Sequence, residues 1–322
     1  MSKARPVVGV DLGGTKIFSL VATAQGEVPG EDRCLTHAEE GRDAVIGRLV
    51  DSVRRAMAQA NVTTGEIAGV GIATPGPCDP KRGVVTGPPN LPGWRDVPLT
   101  QLVSDAMGVP VLLENDAAAA AYGELRFGAG QGCRHLVYVT LGTGIGGGII
   151  IDGRIYGGAS GAAGEVGHLV IVEDGPLCGC GNRGCVEALA SGLAIAREAA
   201  AAVRGGRSPI LAELVGDAPP TAELVHQAAI RGDDASREII ERAGQYLGLG
   251  LVGLLSCFNP EALILGGGLL GLGDLYLGPA IRMAREGAFD QIVADVRITE
   301  AKLGERAGAL GAAALISERE QR

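Results

Sequence analysis

The sequence has 322 residues, a net charge of −9 at pH 7 and 53 glycines, roughly twice the glycine content of an average protein. With 46% hydrophobic and 20% charged residues, it is neither a disordered chain nor a collagen-like repeat. The acidic balance argues against nucleic-acid binding as the main activity, because that activity needs clustered positive charge.

The N-terminal segment predicts neither a signal peptide nor a membrane span. Its apolar run is interrupted by Asp11, and the longest uncharged stretches, around Gly146 and Gly250, are broken by glycine. We therefore expect a soluble, cytoplasmic protein with no membrane partner. The length suggests two domains of ordinary size.

Predicted strands and helices alternate along the chain, as in an α/β protein. Apolar runs predict buried strands at 7–10, 17–22, 68–73, 109–113, 136–141, 149–151 and 262–265. Helical spacing of apolar residues predicts helices at roughly 41–60, 188–203, 222–231 and 236–255. Alanine-rich stretches predict a helix that begins near residue 117, with Gly128 as its stop, and another over 306–320. Proline and glycine are frequent in 78–98, which predicts a long loop, and such loops in compact domains are usually functional.

Two segments share a plan of strand, glycine turn and returning strand. The first turn holds Gly13 and Gly14, and the second covers 142–148. The repetition hints at a duplicated β-β-α unit.

The first turn, Asp11-Leu12-Gly13-Gly14-Thr15-Lys16, has the composition of a phosphate-binding loop. Glycines let main-chain N–H groups approach a phosphate closely, and the hydroxyl and ammonium groups add donors. Asp11 is suited to hold Mg²⁺ through water. A tight hairpin with an exposed lysine is the alternative.

The second turn, which includes Thr143 and Gly144, formally matches the G-x-G-x-x-G dinucleotide fingerprint. That fingerprint requires a helix after the glycines, whereas a strand is predicted here, so a phosphate-gripping β-turn fits better. A third glycine turn, Gly266-Gly267-Gly268, follows a buried strand and could let an adenine lie against backbone; a tight strand-to-helix turn is the alternative.

A cluster of soft ligands predicts a zinc site. His168 is followed by Cys178, Cys180 and Cys185, and glycines separate the cysteines. A Cys₃His set is tetrahedral and leaves no open coordination position, so the zinc would be structural.

Carboxylates and an amide form a set suited to binding a polyol. Glu114-Asn115-Asp116 follows a predicted strand, where α/β proteins place their chemistry. Asp116 is a candidate general base, although it could equally cap the following helix. The other candidates are Asn115, Glu165 and Glu187, the last two flanking the zinc ligands, and Asn90 in the long loop.

Together these segments resemble the ROK family (repressors, open reading frames, sugar kinases). The motifs that carry the resemblance span nearly the whole chain: Asp11 to Lys16, Gly71-Ile-Ala-Thr-Pro-Gly76, Asn90-Leu-Pro-Gly-Trp94, Glu114-Asn-Asp116, Leu141 to Gly147, Gly164-Glu-Val-Gly-His168 and Cys178 to Glu187. One departure is Ala118, where the family often has Asn.

The resemblance implies an actin-like, ribonuclease-H-like ATPase fold with two lobes and a cleft between them. The predicted lobes are residues 1–115, joined by the C-terminal helix 306–322, and residues 116–305 with the zinc site.

The resemblance also implies ATP-dependent phosphorylation of a hexose, with Asp116 as the base that accepts the proton of the 6-hydroxyl. The other sugar contacts would come from Gly76, Asn90, Asn115, Glu165, His168 and Glu187. ATP, with Mg²⁺, would be held by Asp11, Gly13, Gly14, Thr15, Lys16, Thr143 and Gly144, with Gly266 and Gly267 near adenosine. His168 would bind zinc through its other ring nitrogen. A homodimer or homotetramer is the family habit.

Glucose is the favoured hexose, and the serious rival is a kinase for fructose, N-acetylmannosamine or N-acetylglucosamine. A sugar-responsive regulator and an NAD oxidoreductase are weaker alternatives. A regulator of this family would carry a DNA-binding extension, for which the phosphate turn at Asp11 leaves no room. The oxidoreductase would rest on the G-x-G-x-x-G pattern alone.

Overall fold

A computed structural model describes residues 5–321 of the chain. The strands are β1 (Val7–Leu12), β2 (Lys16–Ala22), β3 (Gly30–Leu35), β4 (Val70–Thr74), β5 (Cys78–Asp79), β6 (Val84–Val85), β7 (Val111–Asn115), β8 (Leu136–Leu141), β9 (Ile145–Ile151), β10 (Arg154–Ile155), β11 (Ala262–Gly266) and β12 (Arg297–Glu300).

The helices are α1 (Arg42–Gln59), α2 (Leu99–Met107), α3 (Asp116–Phe127), α4 (Val186–Ala190), α5 (Gly192–Arg204), α6 (Pro209–Val215), α7 (Ala222–Ile230), α8 (Asp234–Phe258), α9 (Asp274–Gly287), α10 (Asp290–Asp295) and α11 (Ala307–Gln321). Short 3₁₀ turns lie at Ala38–Glu40, Val166–His168, Gly268–Leu272 and Gly304–Arg306. No helix within 5–321 is long and apolar enough to cross a bilayer.

The first sheet has the strand order β3-β2-β1-β4-β7. β1 and β2 pair antiparallel, as do β2 and β3, whereas β4 runs parallel to both β1 and β7. Val8, Val10 and Leu12 pack in one core with α1 and α2, and Val7 packs in another with α11. Because side chains alternate along a strand, these helices cover opposite faces.

Two glycines let α11 lie directly on this sheet. A methyl group added at Gly9 would collide with the carbonyl oxygen of Ala309, and one added at Gly71 would collide with that of Ala312. α11 also packs closely on α3, where a methyl group at Gly311 would collide with the carbonyl of Ala119. Because these glycines have no side chain, the backbone of α11 packs directly against the backbones of the sheet and of α3.

The second sheet has the order β10-β9-β8-β11-β12, which repeats the topology of the first. In both sheets a six-residue strand is followed by a three-residue turn and a seven-residue strand: β1 and β2 around 13–15, and β8 and β9 around 142–144. The repeated plan indicated by the sequence is present in the fold.

Contacts divide the chain into two compact units. The first unit is Met1–Leu136, Gly148–Gly164 and Ala301–Arg322, and the second is Val137–Gly147 and Glu165–Glu300. The C-terminal helix α11 belongs to the first unit, with Ala309, Leu310, Ala313 and Ile316 in its core. The boundary predicted between residues 115 and 116 lies inside the first unit, and the assignment of lobes stays a prediction.

The structure corrects three predicted elements. The segment 78–98, predicted as a long loop, contains the antiparallel strand pair β5 and β6. The glycine turn predicted over 142–148 is shorter, since β9 already begins at Ile145. Gly147 packs against Val166 and Gly148 against α3, so these glycines serve close packing within a strand. The helix predicted over 188–203 is interrupted at Ser191, whose side chain accepts a hydrogen bond from Ala194 N and caps α5.

Candidate active site and metal centre

Two acidic side chains lie on one face of the first sheet, near the ends of its parallel strands. In the strand register Asp11 is opposite Ala73, and Ala73 is opposite Glu114. Burial, reinforced by the charges of Asp116 and Glu305, raises the pKa of Asp11 to about 7, while Lys16 acts in the lowering direction. Burial also raises the pKa of Glu114 to about 7, although its Oε1 accepts a hydrogen bond from the Asn115 N–H at 2.9 Å.

The start of α3 separates the tasks of Asn115 and Asp116. Asn115 is the N-cap, and its Oδ1 accepts hydrogen bonds from the N–H groups of Ala117 at 3.0 Å and Ala118 at 3.1 Å. Asp116 is the first residue of the helix, and its Oδ1 accepts from Ala117 N–H at 2.8 Å. The capping alternative considered for Asp116 therefore belongs mainly to Asn115.

The turn between β1 and β2 is closed by main-chain bonds. Gly13 N–H donates to the carbonyl of Lys16 at 2.9 Å, and the Thr36 hydroxyl donates to the carbonyl of Gly13 at 2.6 Å. Thr15 is exposed, and Gly14 lies against the long loop, since a methyl group added there would be 2.7 Å from the Asn90 Cβ. The structure thus brings the glycine turn and Asn90 together.

Lys16 and the long loop differ from a simple phosphate cradle. The Lys16 ammonium forms an ion pair with Glu305 at 2.8 Å, so an anion would meet a lysine that already has a partner. Asn90 is exposed, while Trp94 in the same loop is buried in the core of the first unit. Gly76 lies two residues after β4 and is partly exposed.

In the second unit, the turn 142–144 is held by α4 and α5. Gly192 N–H donates to the carbonyl of Gly142 at 2.9 Å, and Leu193 N–H donates to that of Thr143 at 3.3 Å. Glu187, on α4, accepts a hydrogen bond from Ile145 N–H at 2.9 Å, and Gly144 lies against its carboxylate. This carboxylate is therefore directly beside the second glycine turn.

The third glycine turn lies at the end of a buried strand, which extends one residue further than predicted and includes Gly266. Gly267 has a φ of 96°, which favours glycine, and a methyl group there would collide with the main chain of Leu141. Gly266 ends β11 against the ring of Tyr138, so this turn lies beside the end of β8.

The four soft ligands predicted from sequence form one cluster. The ligand atoms of His168, Cys178, Cys180 and Cys185 all lie within 4.8 Å of one another. The Cys180 and Cys185 sulfurs are 3.7 Å apart, which matches the roughly 3.8 Å edge of a tetrahedron with Zn–S bonds of about 2.3 Å. The donor set and its dimensions fit zinc.

The surroundings of the thiols differ. Burial raises the pKa of Cys178, and it raises that of Cys185 to about 12. A hydrogen bond from the main chain of Asn182 lowers the pKa of the exposed Cys180. A bound zinc ion would stabilise all three as thiolates.

His168 connects the cluster to a carboxylate. Its Nδ1 lies 3.6 Å from the Cys178 sulfur, and its Nε2 lies 3.8 Å from Glu165 Oε2. Glu187 also approaches this sulfur, with Oε1 at 3.8 Å. The cluster therefore holds Glu165, His168 and Glu187 in a fixed relation within the second unit.

Three acidic residues of the first unit have partners or burial that the sequence did not predict. Glu114 stands inside a motif that was noted, but its burial is visible only in the fold. Glu305 pairs with Lys16, and Glu124 is fully buried and binds the main chain of 302–303. No local sequence signal links the last two to their partners, which lie far away along the chain.

Residues 7–319 match the ROK family. The chain belongs to the ROK family. The glucokinase of Thermotoga maritima is 38% identical over 316 residues, which cover 97% of this chain and 98% of that protein. The xylose repressor of Caldicellulosiruptor bescii is 33% identical, and the match covers 96% of this chain and 77% of the repressor.

Solved ROK structures have the same fold. The ROK hexokinase of Thermus thermophilus matches with a TM-score of 0.83 and 36% identity, over 98% of this chain and 99% of that one. The ROK glucokinase of Streptomyces griseus, solved with glucose and AMPPNP, matches with a TM-score of 0.80 and 36% identity, over 96% and 98% of the two chains. The predicted α/β, actin-like ATPase fold is confirmed.

Proposed function

We propose that this ROK protein is an ATP-dependent kinase that phosphorylates the 6-hydroxyl of glucose. The observation that carries the proposal is the start of α3, where Asn115 takes the capping bonds and Asp116 offers a carboxylate in the first turn. Near full-length similarity to a glucokinase and to a glucokinase solved with glucose and an ATP analogue supports the choice of substrates.

Asp116 would accept the proton of the 6-hydroxyl as that oxygen forms its bond to the γ-phosphorus. The bond between the γ-phosphorus and the bridging oxygen breaks, and ADP leaves. A positioned base contributes typically 10²–10⁴-fold to such a reaction. Phosphoryl transfer otherwise depends on alignment and charge neutralisation.

The remaining roles are assigned by unit. In the first unit, Gly76, Asn90 and Asn115 would contact sugar hydroxyls, and Gly13, Gly14, Thr15 and Lys16 would meet the phosphates. In the second unit, Glu165, His168 and Glu187 would contact sugar hydroxyls, and Thr143, Gly144, Gly266 and Gly267 would contact the nucleotide.

Two metal ions complete the proposal. Asp11, an enclosed carboxylate at a strand end, would hold Mg²⁺ through water, and the ion would neutralise phosphate charge. Zn²⁺ would be bound by His168, Cys178, Cys180 and Cys185 and would keep Glu165 and Glu187 in place. The protein is proposed to act in the cytoplasm as a homodimer or homotetramer.

An ADP-release assay across hexoses tests the substrate. Glucose, fructose, N-acetylmannosamine and N-acetylglucosamine are compared, each with ATP and with polyphosphate as donor. We expect the highest kcat/KM for glucose with ATP. A higher value for another hexose would reject glucose as the substrate, and sugar binding without ADP release would favour a regulator.

A further inference from the structure

Glu124 is a buried carboxylate for which the proposed reaction has no direct use. The whole residue is shielded from solvent. Oε2 accepts a hydrogen bond from Ala129 N–H at 2.7 Å, and Oε1 accepts from Lys302 N–H at 3.0 Å and Leu303 N–H at 2.8 Å. A buried charge is costly unless it is fully hydrogen-bonded, so these three charge-assisted bonds form a strong and directional link.

The link joins two elements of the first unit that are far apart in sequence. Glu124 lies on α3, the helix that begins at Asp116, about 12 Å along the helix axis from that residue. Lys302 and Leu303 lie between β12 and α11, directly before the turn Gly304–Arg306. One side chain therefore fixes the start of α11 relative to the helix that carries the proposed base.

The segment held by Glu124 reaches both charged groups of the proposed phosphate side. Glu305 binds the Lys16 ammonium and the Arg33 guanidinium, each at 2.8 Å. A methyl group added at Gly308 would lie 3.2 Å from Asp11 Oδ2, so the first turn of α11 lies against that carboxylate. A shift of the segment 302–308 would move the surroundings of Asp11 and Lys16 together.

We propose that Glu124 is a positioning residue for phosphoryl transfer, acting through Lys302 and Leu303 on the segment that places Asp11 and Lys16. The inference rests on the proposed function, because it takes these two residues as the contacts of Mg²⁺ and the phosphates. A residue with a purely structural role would lower stability without distinguishing the nucleotide from the sugar.

Glu124→Gln keeps the shape of the side chain but replaces one acceptor oxygen by an NH₂ group that faces main-chain N–H donors. We expect the KM for ATP to rise about tenfold and the KM for glucose to change less than about twofold. An equal rise in both KM values, or no rise in either, would overturn the proposal.

Tyr122→Phe is the matched control. The Tyr122 hydroxyl donates to Glu318 at 2.7 Å and accepts from Arg126 at 3.1 Å, so it also joins α3 to α11, and both of these partners lie outside the segment 302–308. The control should lower the unfolding temperature and leave the KM for ATP within about twofold of wild type. A KM for ATP raised as much as in Glu124→Gln would show that any loss of α3–α11 contact has this effect, and would reject the proposal.

A double-mutant cycle tests the route. If Glu124 acts through the segment that carries Glu305, the effects of Glu124→Gln and Glu305→Gln on the KM for ATP should be less than multiplicative. Fully multiplicative effects would reject the route through this segment.

Two further measurements keep the test decisive. If Glu124→Gln does not fold, Glu124→Asp, which keeps the charge but shortens the reach, must give the same split between the two KM values. Calorimetric titration of ATP without sugar measures the same effect without turnover. Glucose phosphorylation by the wild-type protein tests the proposed function. The ratio of the KM for ATP in the variant to that in wild type tests the role of Glu124, so failure of one proposal can be told from failure of the other.

Discussion

At the start of α3, the helix cap and the proposed base are two adjacent polar residues. A carboxylate at a helix start usually caps the helix, and a capping carboxylate is a poorer base because its charge is stabilised by N–H donors. Here the Asn115 amide oxygen accepts from Ala117 and Ala118. Asp116 accepts a hydrogen bond from Ala117 N–H through Oδ1, whereas both of the N-cap bonds go to Asn115.

Asp116→Asn should reduce kcat by roughly 10²–10⁴-fold, because the amide cannot accept the proton. The helix start should persist, since Asn115 provides the cap, and the zinc content should be unchanged. Steady-state kinetics, circular dichroism and metal analysis check these points. A kcat near that of wild type would remove Asp116 from the mechanism.

Glu114 predicts a pH dependence of stability. Its pKa is about 7 in the folded chain, against 4.5 for an ordinary glutamate, so the folded state binds more protons between these values. Protonated Glu114 therefore contributes to the free energy of unfolding below about pH 4.5. This contribution decreases as the pH rises towards 7 and is lost above that value. In Glu114→Gln the decrease in the free energy of unfolding with pH should be smaller by about 1–3 kcal/mol.

Urea unfolding of Glu114→Gln and wild type from pH 4.5 to 8 checks this prediction. Asp11, whose pKa is also raised, is present in both proteins and cancels in the comparison. Parallel curves for the two proteins would contradict the assignment to Glu114.

At the scale of elements, the Cys₃His cluster and α4 form one module around Glu187. Cys185 immediately precedes α4, and Glu187 lies on it between the Cys178 sulfur and Ile145 N–H. Losing the metal should therefore disturb the carboxylate as well as the cysteine loop.

Cys180→Ala should lose zinc and sugar affinity together, because Cys180 is exposed and its removal takes away a ligand without opening the core. Cys257→Ala, at an exposed cysteine on α8 outside the cluster, is the control and should change neither. Metal analysis and glucose titration check the prediction. Normal sugar affinity in metal-free Cys180→Ala would separate the two functions.

The contact of α11 with the first sheet depends on glycine. Gly71→Ala places a methyl group on the Ala312 carbonyl and should destabilise the protein by about 1–3 kcal/mol. Gly65→Ala, at a position with open space, is the control and should have little effect. Urea unfolding compares the two variants, and equal stabilities would contradict the packing argument.

The sequence predicted best those elements whose signal is local. The strand end at Glu114 to Asp116, the cluster of His168 with three cysteines and the long helix α8 were predicted because their residues are neighbours in the chain. Helix α9 was not predicted, since it contains Pro279 and is stabilised by packing on α8, where Gly244 lies against that proline. Glu124 and Glu305 were missed for the same reason: the fold alone brings Lys302 and Leu303 to Glu124, and Lys16 and Arg33 to Glu305.

At the scale of the whole chain, the same topology occurs twice. In the first sheet the glycine turn joins β1 and β2, and in the second sheet it joins β8 and β9. In each case these are the second and third strands from the edge formed by β3 or β10. The sequence hinted at this repeat through the two turns alone, because the strands around them differ in their residues. The repeat accounts for two of the glycine-rich segments, and close packing on α11 accounts for Gly9, Gly71 and Gly311.

The first unit is assembled from three separate stretches of chain, and the last is essential to its core. A chain ending after Arg306 should lose the cooperative unfolding of this unit, because α11 contributes Ala309, Leu310, Ala313 and Ile316. The emission of Trp94, which is buried in the first unit, should shift to longer wavelength. A chain ending after Arg319 keeps these residues and Glu318, the hydrogen-bond partner of Tyr122, and should unfold as wild type. Equal behaviour of both truncations would contradict the prediction.

The late return of α11 also has a consequence for the order of events during synthesis. β1 and β4 emerge early from the ribosome, but the helix that covers one of their faces is made only after the whole second unit. Until then an apolar sheet face with Gly9 and Gly71 at its surface stays open to solvent and to other chains. Non-local closure of this kind slows folding and exposes nascent chains to aggregation, so the first unit should depend on chaperones more than the second.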